Sequence, residues 1–262
     1  MKILILGAGK MGSFLADTLS FDHTLAVLDN NPKKLRYLYN TERMSQAKEV
    51  EAFNPDMVIN CATIKCTIEA FKEVLPYIGK HCILSDIASV KTGLQAFYES
   101  QEHPFVSTHP MFGPTFASLS DLSEQNTIII TESDHMGKVF FRDLYRSLHL
   151  NVFEYSFEEH DEVTAYSLSI PFVSTMVFAS VMETIDAPGT TFKKHLNIAH
   201  GLLSEDDYLL TEILFNPNTP DKVKNIRKEL ATLLDIIDRK DGTAMKAYLT
   251  KIRSNIKPKG KG

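Results

Sequence analysis

Three stretches of this chain carry groups able to do chemistry: Gly7-Ala8-Gly9-Lys10-Met11-Gly12, Ser85-Asp86-Ile87-Ala88-Ser89-Val90-Lys91, and His109-Pro110-Met111-Phe112-Gly113-Pro114. The first follows the apolar run Ile3-Leu4-Ile5-Leu6 and precedes Phe14, Leu15 and Leu19 at helical spacing, so it reads as strand, glycine turn and helix. Each glycine then has its own task. Gly7 permits the tight turn, Gly9 lets a pyrophosphate reach the backbone, and Gly12 lets helix and strand pack closely, while the helix start at Lys10 and Met11 faces the phosphates. Asp29 closes a second strand, Thr24 to Leu28, about 20 residues on, where a carboxylate accepts hydrogen bonds from the adenosine ribose and repels the extra phosphate of NADP. NAD is therefore the expected cofactor, and NADP the lesser one. Two other readings stay open: Asp29 as a cap for the helix starting near Pro32, and Lys33 and Lys34 as partners of a phosphate.

The other stretches lie at expected strand exits, the edge where α/β folds put chemistry. Two prolines and a glycine follow His109 within six residues, so the chain is expected to leave the strand there and hold His109 on a fixed loop. Its imidazole could accept a proton near neutral pH; the bland alternative is a solvated loop histidine. Thr63 and Ser89 fall just past two further strands, on the side of the nicotinamide half of the cofactor. Ser89 could donate to a substrate or simply cap the helix running through Leu94 and Phe97.

The elements that must position these residues alternate between periods of 2 and 3.6. Strands are expected at Lys2–Leu6, Thr24–Asp29, Met57–Ala62, Cys82–Ile87, Thr127–Thr131 and Val152–Tyr155, with helical segments at Ala47–Phe53, Thr67–Ile78 and Val139–Leu148 between them. This is a doubly wound Rossmann-type sheet over residues 1–157. From 158 to 256 only helical periods remain: Glu158–Ile185, broken or kinked at Pro171, Thr191–Leu203, Asp206–Phe215, Pro220–Ile237 with Thr219 as N-cap, and a last one from about Ala244. The Leu, Phe and Met of this half are read as core, and its acidic runs Glu158-Glu159 and Glu205-Asp206-Asp207 as caps and solvated faces. An all-helical domain of this size is expected to bury apolar faces against a second copy, giving a homodimer. Residues 257–262 read as a disordered basic tail.

Composition narrows the partners. A net charge of -5 among 262 residues, with pI near 6.0, leaves no electrostatic footprint for nucleic acid. Cys61, Cys66 and Cys82 fit neither a disulfide framework nor a zinc site, which points to a reduced, cytoplasmic protein without a structural metal. The apolar start is too short for a signal peptide, and no later run is expected to span a membrane.

Through Gly7–Gly12, Asp86–Lys91, His109–Pro114 and Glu159-His160-Asp161, the chain resembles the prephenate/arogenate dehydrogenase family of tyrosine biosynthesis. The resemblance covers nearly the whole chain. It implies that His109 contacts the ring hydroxyl of a cyclohexadiene substrate, that Ser89 lies in the active site, and that prephenate becomes 4-hydroxyphenylpyruvate or arogenate becomes tyrosine by hydride transfer to NAD with loss of carbon dioxide. Such chemistry needs a nicotinamide, a proton acceptor and an orienting cation, but no metal or covalent nucleophile. Two departures stand out. Many members carry Thr-Arg-Ile-Ala, whose arginine binds a substrate carboxylate; here the matching stretch is Leu196-Asn197-Ile198-Ala199. A histidine that often follows a proline in the first long helix is Phe172 here, after Pro171. Lys193, Lys194 or His195 then become candidates for the cation, with a surface role for the lysines as the alternative. The form His-Pro-Met-Phe-Gly-Pro is shared with plant arogenate dehydrogenases. Outside this family, the same features would suit another small Rossmann dehydrogenase or reductase with a helical dimer domain, or an NAD-binding regulator without turnover.

Overall fold

Along β1 (Lys2–Leu6), Ile3 and Ile5 face one side of a sheet and Leu4 and Leu6 the other, and all four are buried. A strand dry on both faces needs helices on both faces, which is why its sequence is continuously apolar. A computed structural model describes residues 1–113 and 122–256. Pro114, most of the polar loop after His109 and the basic tail 257–262 lie outside the described residues.

After β1 come α1 (Lys10–Leu19), β2 (Thr24–Leu28), α2 (Pro32–Leu35), β3 (Glu42–Met44), α3 (Val50–Phe53), β4 (Met57–Asn60), α4 (Thr67–Val74), β5 (Ile83–Asp86), α5 (Leu94–Glu99) and β6 (Phe105–Pro110). β7 (Asn126–Ile130), α6 (His135–Ser147), β8 (Asn151–Tyr155) and α7 (Phe157–Thr164) complete the first compact unit. The eight strands stand in the order β3-β2-β1-β4-β5-β6-β7-β8, parallel throughout except where β6 meets β7. On one face Leu15, Leu19, Phe141 and Tyr145 pack on Ile3 and Ile5; on the other Phe71, Val74, Phe97 and Tyr98 pack on Leu4 and Leu6. The expected doubly wound sheet is present, with the short edge strand β3 added. Three residues with Glu42 and Arg43 exposed carry too little apolar period to be seen in advance.

β6 does not stop at His109 as its prolines suggest; it runs on through Pro110. The reason lies in the antiparallel ladder, whose hydrogen-bonded and open pairs alternate. Met111 N–H donates to Asn126 O at 2.9 Å, so Pro110, opposite Thr127, occupies an open pair where its missing N–H costs nothing.

The first unit comprises residues 1–164 and takes back 206–213, so it extends through α7 rather than ending at residue 157. Phe157, His160 and Thr164 of α7 are buried, which ties those roughly two turns of helix to it. Ser156 and Glu159 cap α7 reciprocally: Ser156 N–H donates to Glu159 Oε2 at 2.8 Å and Glu159 N–H to Ser156 Oγ at 3.1 Å. Most of α10 (Asp207–Leu214), capped by Asp206, returns to this unit with Leu210 and Ile213 buried.

The second unit comprises 165–205 and 214–262. A π-turn at Ala165–Ser169 leads into α8 (Ile170–Ser180), so the long period breaks just ahead of Pro171; α9 (Thr190–Leu203), α11 (Thr219–Asp238) and α12 (Gly242–Asn255) follow. Thr219 is not the N-cap. Asn218 holds that position, because the Thr219 hydroxyl is buried against Ser169 Oγ at 2.7 Å rather than turned onto the helix start. Nor are the apolar residues here mostly core: Val177, Val181, Ile198, Leu203, Phe215, Leu230, Leu234 and Ile237 are each more than half exposed. Phe157–Ser180 is also long and apolar enough to cross a membrane by length and composition, which the sequence reading did not anticipate; Phe157, His160, Thr164 and Ala165 in it are buried by protein.

The packing of α6 on β6 has no slack. A Cβ on Gly137 would meet Val106 Cβ at 2.7 Å and Cγ1 at 2.8 Å, and Val106 is fully buried. Gly137→Ala should therefore destabilise the protein by about 1–3 kcal/mol through overpacking, more than the ~1 kcal/mol that alanine gains in a helix. In urea unfolding the loss should shrink in a Val106→Gly background, which removes both clashing atoms; an unchanged or raised midpoint for Gly137→Ala alone would mean the two elements can separate freely.

Candidate active site

The order β3-β2-β1-β4-β5-β6 reverses direction between β1 and β4, and a crevice opens at the carboxyl ends of strands at such a point. Gly7 leaves β1 with φ +96°, a left-handed conformation that favours glycine, and its N–H donates to Leu28 O at 2.8 Å. A Cβ on Gly12 would lie 1.9 Å from Gly7 O, so only glycine lets α1 come this close. Gly9 is the opposite case. A Cβ there would meet nothing within 4 Å, and Gly9 is the N-cap of α1 without a side-chain cap. Open space over an uncapped helix start at Lys10 and Met11 is the cradle a pyrophosphate fits.

Asp29 is almost fully buried at the end of β2, and its carboxylate accepts from Ala8 N–H and from Asn31 N–H, both at 2.8 Å. It thereby lashes the glycine turn to the second strand. The α2 cap is Asn31, whose side chain accepts from Lys33 N–H at 3.1 Å, so capping that helix is not the task of Asp29. Lys34 Nζ stands 3.8 Å from Asp29 Oδ2. At the exit of β4, Asn60 holds the turn by accepting from Ala62 N–H at 3.0 Å and donating to Thr67 O at 2.8 Å, which leaves Thr63 on the crevice edge of the sheet.

Past β5, Ser89 is half-buried and is not a cap: α5 begins only at Leu94, behind Gly93 with φ +76°. Asp86, the last residue of β5, anchors this region. Its carboxylate takes the Lys91 ammonium, Ala88 N–H at 3.0 Å and Tyr98 Oη–H at 2.8 Å; Lys91 also donates to Thr108 O at 2.7 Å. Thr108 Oγ1 donates to Asp86 O at 3.2 Å, which leaves Tyr145 Oη to donate to Thr108 Oγ1 at 2.7 Å. Asp86, Lys91, Tyr98, Thr108 and Tyr145 are all buried. Burial lowers the Lys91 pKa while Asp86 works against that, and burial with the Asp86 charge holds Tyr98 well above the ordinary phenol value.

His109 follows Thr108 directly, so this network fixes the backbone that carries it. The ring is only 5% exposed, not a solvated loop side chain, and its Nδ1 lies 2.9 Å from His160 Nε2. His160 is fully buried, and its Nδ1 lies 3.1 Å from Asp161 Oδ1. Burial, then His160, then Lys91 hold His109 well below the ordinary histidine value of 6.5, so it is neutral at pH 7. Burial also lowers His160, with Asp161 opposing. Just beyond, Phe112 sets its ring edge-on to Phe14 of α1 with centroids 6.5 Å apart, which ties the chain after His109 to the dinucleotide helix.

The first unit thus brings Gly7, Gly9, Lys10, Met11, Gly12, Asp29, Thr63, Ser89 and His109 to the carboxyl edge of one sheet. Lys193, Lys194 and His195 are exposed on α9 of the second unit, where His195 Nδ1–H donates to Thr191 O at 3.0 Å. Asn197 is exposed on the same helix. Among the described residues no three His, Cys, Asp or Glu side chains cluster as a metal site would need. Sequence reasoning assigned no role to His160, Asp86, Lys91 or Tyr145. Lys91 gave a local signal, a cation so close behind an apolar strand that it would need a buried partner, whereas Asp86 and His160 stood only in the motifs that carry the family resemblance.

A family model for the prephenate dehydrogenase nucleotide-binding domain matches residues 19–151, half of the chain; the glycine turn precedes the match and stands on its own geometry. The probable arogenate/prephenate dehydrogenase of Methanocaldococcus jannaschii is 23% identical over 228 residues, covering 81% of this chain and 49% of that protein. Arogenate dehydrogenase 1, chloroplastic, of Arabidopsis thaliana is 24% identical over 281 residues, covering 95% and 43%. The chain thus spans about half the length of these curated relatives. Among solved structures, prephenate dehydrogenase from Aquifex aeolicus in complex with hydroxyphenyl propionate and NAD+ superposes with a TM-score of 0.81 at 21% identity, covering 97% of this chain and 96% of that one. Synechocystis arogenate dehydrogenase gives 0.75 at 17% identity, covering 97% and 98%. At such identities the likeness is one of fold, and it extends end to end; with the family model matching half of the sequence, the chain belongs to the prephenate/arogenate dehydrogenase family.

Proposed function

We propose that this protein oxidatively decarboxylates prephenate or arogenate, with NAD as hydride acceptor, in the making of tyrosine. The observation that carries the reading is His109: a buried, neutral imidazole at the carboxyl edge of β6, on the same edge as a glycine turn shaped for a dinucleotide. NAD, bound along that turn, supplies the hydride acceptor. Gly7, Gly9 and Gly12 with the start of α1 hold its pyrophosphate, Asp29 the adenosine ribose, and Thr63 borders its nicotinamide half. His109 takes the proton from the ring hydroxyl as hydride leaves that carbon, loss of carbon dioxide makes the ring aromatic, and the Ser89 hydroxyl orients the substrate beside it. With Asn197 where many members have arginine, Lys193, Lys194 or His195 supplies the cation for a substrate carboxylate. Side-by-side formation of NADH and NADPH from prephenate and from arogenate tests the reading; no reduced cofactor with either substrate would refute it and favour a non-catalytic NAD-binding role.

A reduced compartment such as the cytoplasm fits the three free cysteines. The exposed apolar residues of α8, α9 and α11 support a homodimer built by the second unit. Light scattering at micromolar concentration should then give about twice the 29.5 kDa chain mass, and a clean monomer would rule it out.

Cofactor choice follows from Asp29. NAD should give the higher kcat/KM, and Asp29→Ser should narrow the gap to NADP while weakening the turn that its carboxylate braces through Ala8. A wild-type protein faster with NADP would overturn this.

For His109 the sign is fixed by its environment. Its folded pKa lies below 6.5, so the neutral base persists below that pH, and the acid limb of kcat/KM should fall on the low side of 6.5. His109→Asn should cost about 10²–10⁴ in turnover and abolish that limb. NAD affinity should barely change. Near wild-type turnover with the same limb would place the base elsewhere.

A further inference from the structure

We propose that His160 and Asp161 set the tautomer of His109, holding its proton on Nδ1 so that Nε2 is the bare nitrogen offered to a substrate hydroxyl. The inference rests on His109 being the base of the proposed reaction, but its first test reads the ring itself. The assignment follows from counting donors. A carboxylate can only accept, so the contact from Asp161 Oδ1 to His160 Nδ1, at 3.1 Å, puts a proton on His160 Nδ1. A neutral His160 then has a lone pair on Nε2. That nitrogen lies 2.9 Å from His109 Nδ1, which must be the donor. Only His109 Nε2 is left without a proton, and it is the nitrogen a general base needs.

A charged His160 would reverse this, since two protonated nitrogens on His160 would leave His109 Nδ1 to accept and put the proton on Nε2. Burial and Lys91 oppose that state and outweigh Asp161 and Asp86, which favour it. Both rings are buried, Lys91 already places one positive charge beside them, and Asp86 is committed to Lys91, Ala88 and Tyr98. The pKa of each ring is lowered, with Lys91 among the causes. The arrangement is also held mechanically, because the Ser156–Glu159 cap fixes the start of α7 and the Thr108 clamp fixes β6. His160 and Asp161 are positioning residues: they act through His109. When His109 takes the hydroxyl proton on Nε2, the imidazolium keeps its Nδ1–H bonded to a ring that Asp161 backs with negative charge, as the partners of metal-bound or catalytic histidines do elsewhere.

The test uses the full chain labelled with ¹⁵N-histidine, with His109 assigned by the signal lost in His109→Asn. At pH 7.5 the nitrogen shifts and two-bond couplings of wild-type His109 should show Nδ1 protonated and Nε2 bare. In His160→Leu, which removes the acceptor, the proton should move to Nε2; in His160→Gln, whose amide oxygen can accept near the position of Nε2, it should stay on Nδ1. With whichever substrate turns over, His160→Leu should lower kcat about 10²-fold while KM and NAD affinity stay within about threefold, and His160→Gln should recover most of the loss. A wild-type His109 protonated on Nε2 overturns the inference, as does a folded His160→Leu with unchanged kcat. Should His160→Leu fail to fold, the wild-type and His160→Gln spectra still decide. Inactivity of the wild type on both substrates would count against the proposed reaction and leave the tautomer to the spectra.

Discussion

An ammonium and a carboxylate sealed together under β5 and β6 constrain this unit more than any apolar contact does. Moving two charges out of water costs several kcal/mol each, and their attraction repays that only with good geometry and every remaining lone pair and proton satisfied. Lys91 and Asp86 go most of the way by recruiting Thr108 O for a second ammonium proton and Ala88 N–H and the Tyr98 hydroxyl for the carboxylate. Those partners come from β5, the turn after it, α5 and β6, and Tyr145 of α6 joins through Thr108. None of these elements can shift by an ångström without exposing an uncompensated charge to a dry interior. The histidine one residue beyond Thr108 inherits that rigidity.

The same charge pair shapes the chemistry available to His109. A buried imidazole near a fixed cation pays twice to be protonated, in desolvation and in repulsion, so it waits as a free base. At the other end of the sheet edge, the dinucleotide turn is built almost without side chains: φ at Gly7, the contact of Gly12 with Gly7 O, and the space over Gly9 define it. A backbone turn shaped for a dinucleotide and a buried, neutral imidazole thus stand at the carboxyl edge of one sheet.

Chain connectivity adds a constraint that neither unit shows alone. The chain passes between the compact units three times, because 206–213 belongs to the first while its neighbours on both sides belong to the second. Cutting after residue 164 would remove residues 206–213, with buried Leu210 and Ile213, from the unit they belong to. The unit that carries the glycine turn and His109 is therefore not an independent N-terminal fragment, although most of its residues are consecutive.

How much of this was legible in the sequence depends on whether the signal is local. The glycine turn, Asp29 and the strand–helix alternation were, because turn chemistry and periodicity are written in neighbouring residues; so was the break near Pro171. Pro110 misled, since whether a proline ends a strand depends on which pair of the ladder it meets, and the ladder belongs to β7. Ser89 and Thr219 look like caps by type and position, yet Gly93 and Asn218 take those places once Thr219 finds a buried partner in Ser169. His160 is the largest omission. It stands 51 residues from His109 in a stretch that reads as a solvated acidic helix start, and Glu158 and Glu159 beside it do face water. A side chain one step round the same helix is fully buried because the helix lies against β7 and β8, and no local pattern contains that contact. The contact of His109 with His160 joins residues far apart in sequence, so its signal appears only when the sheet is assembled.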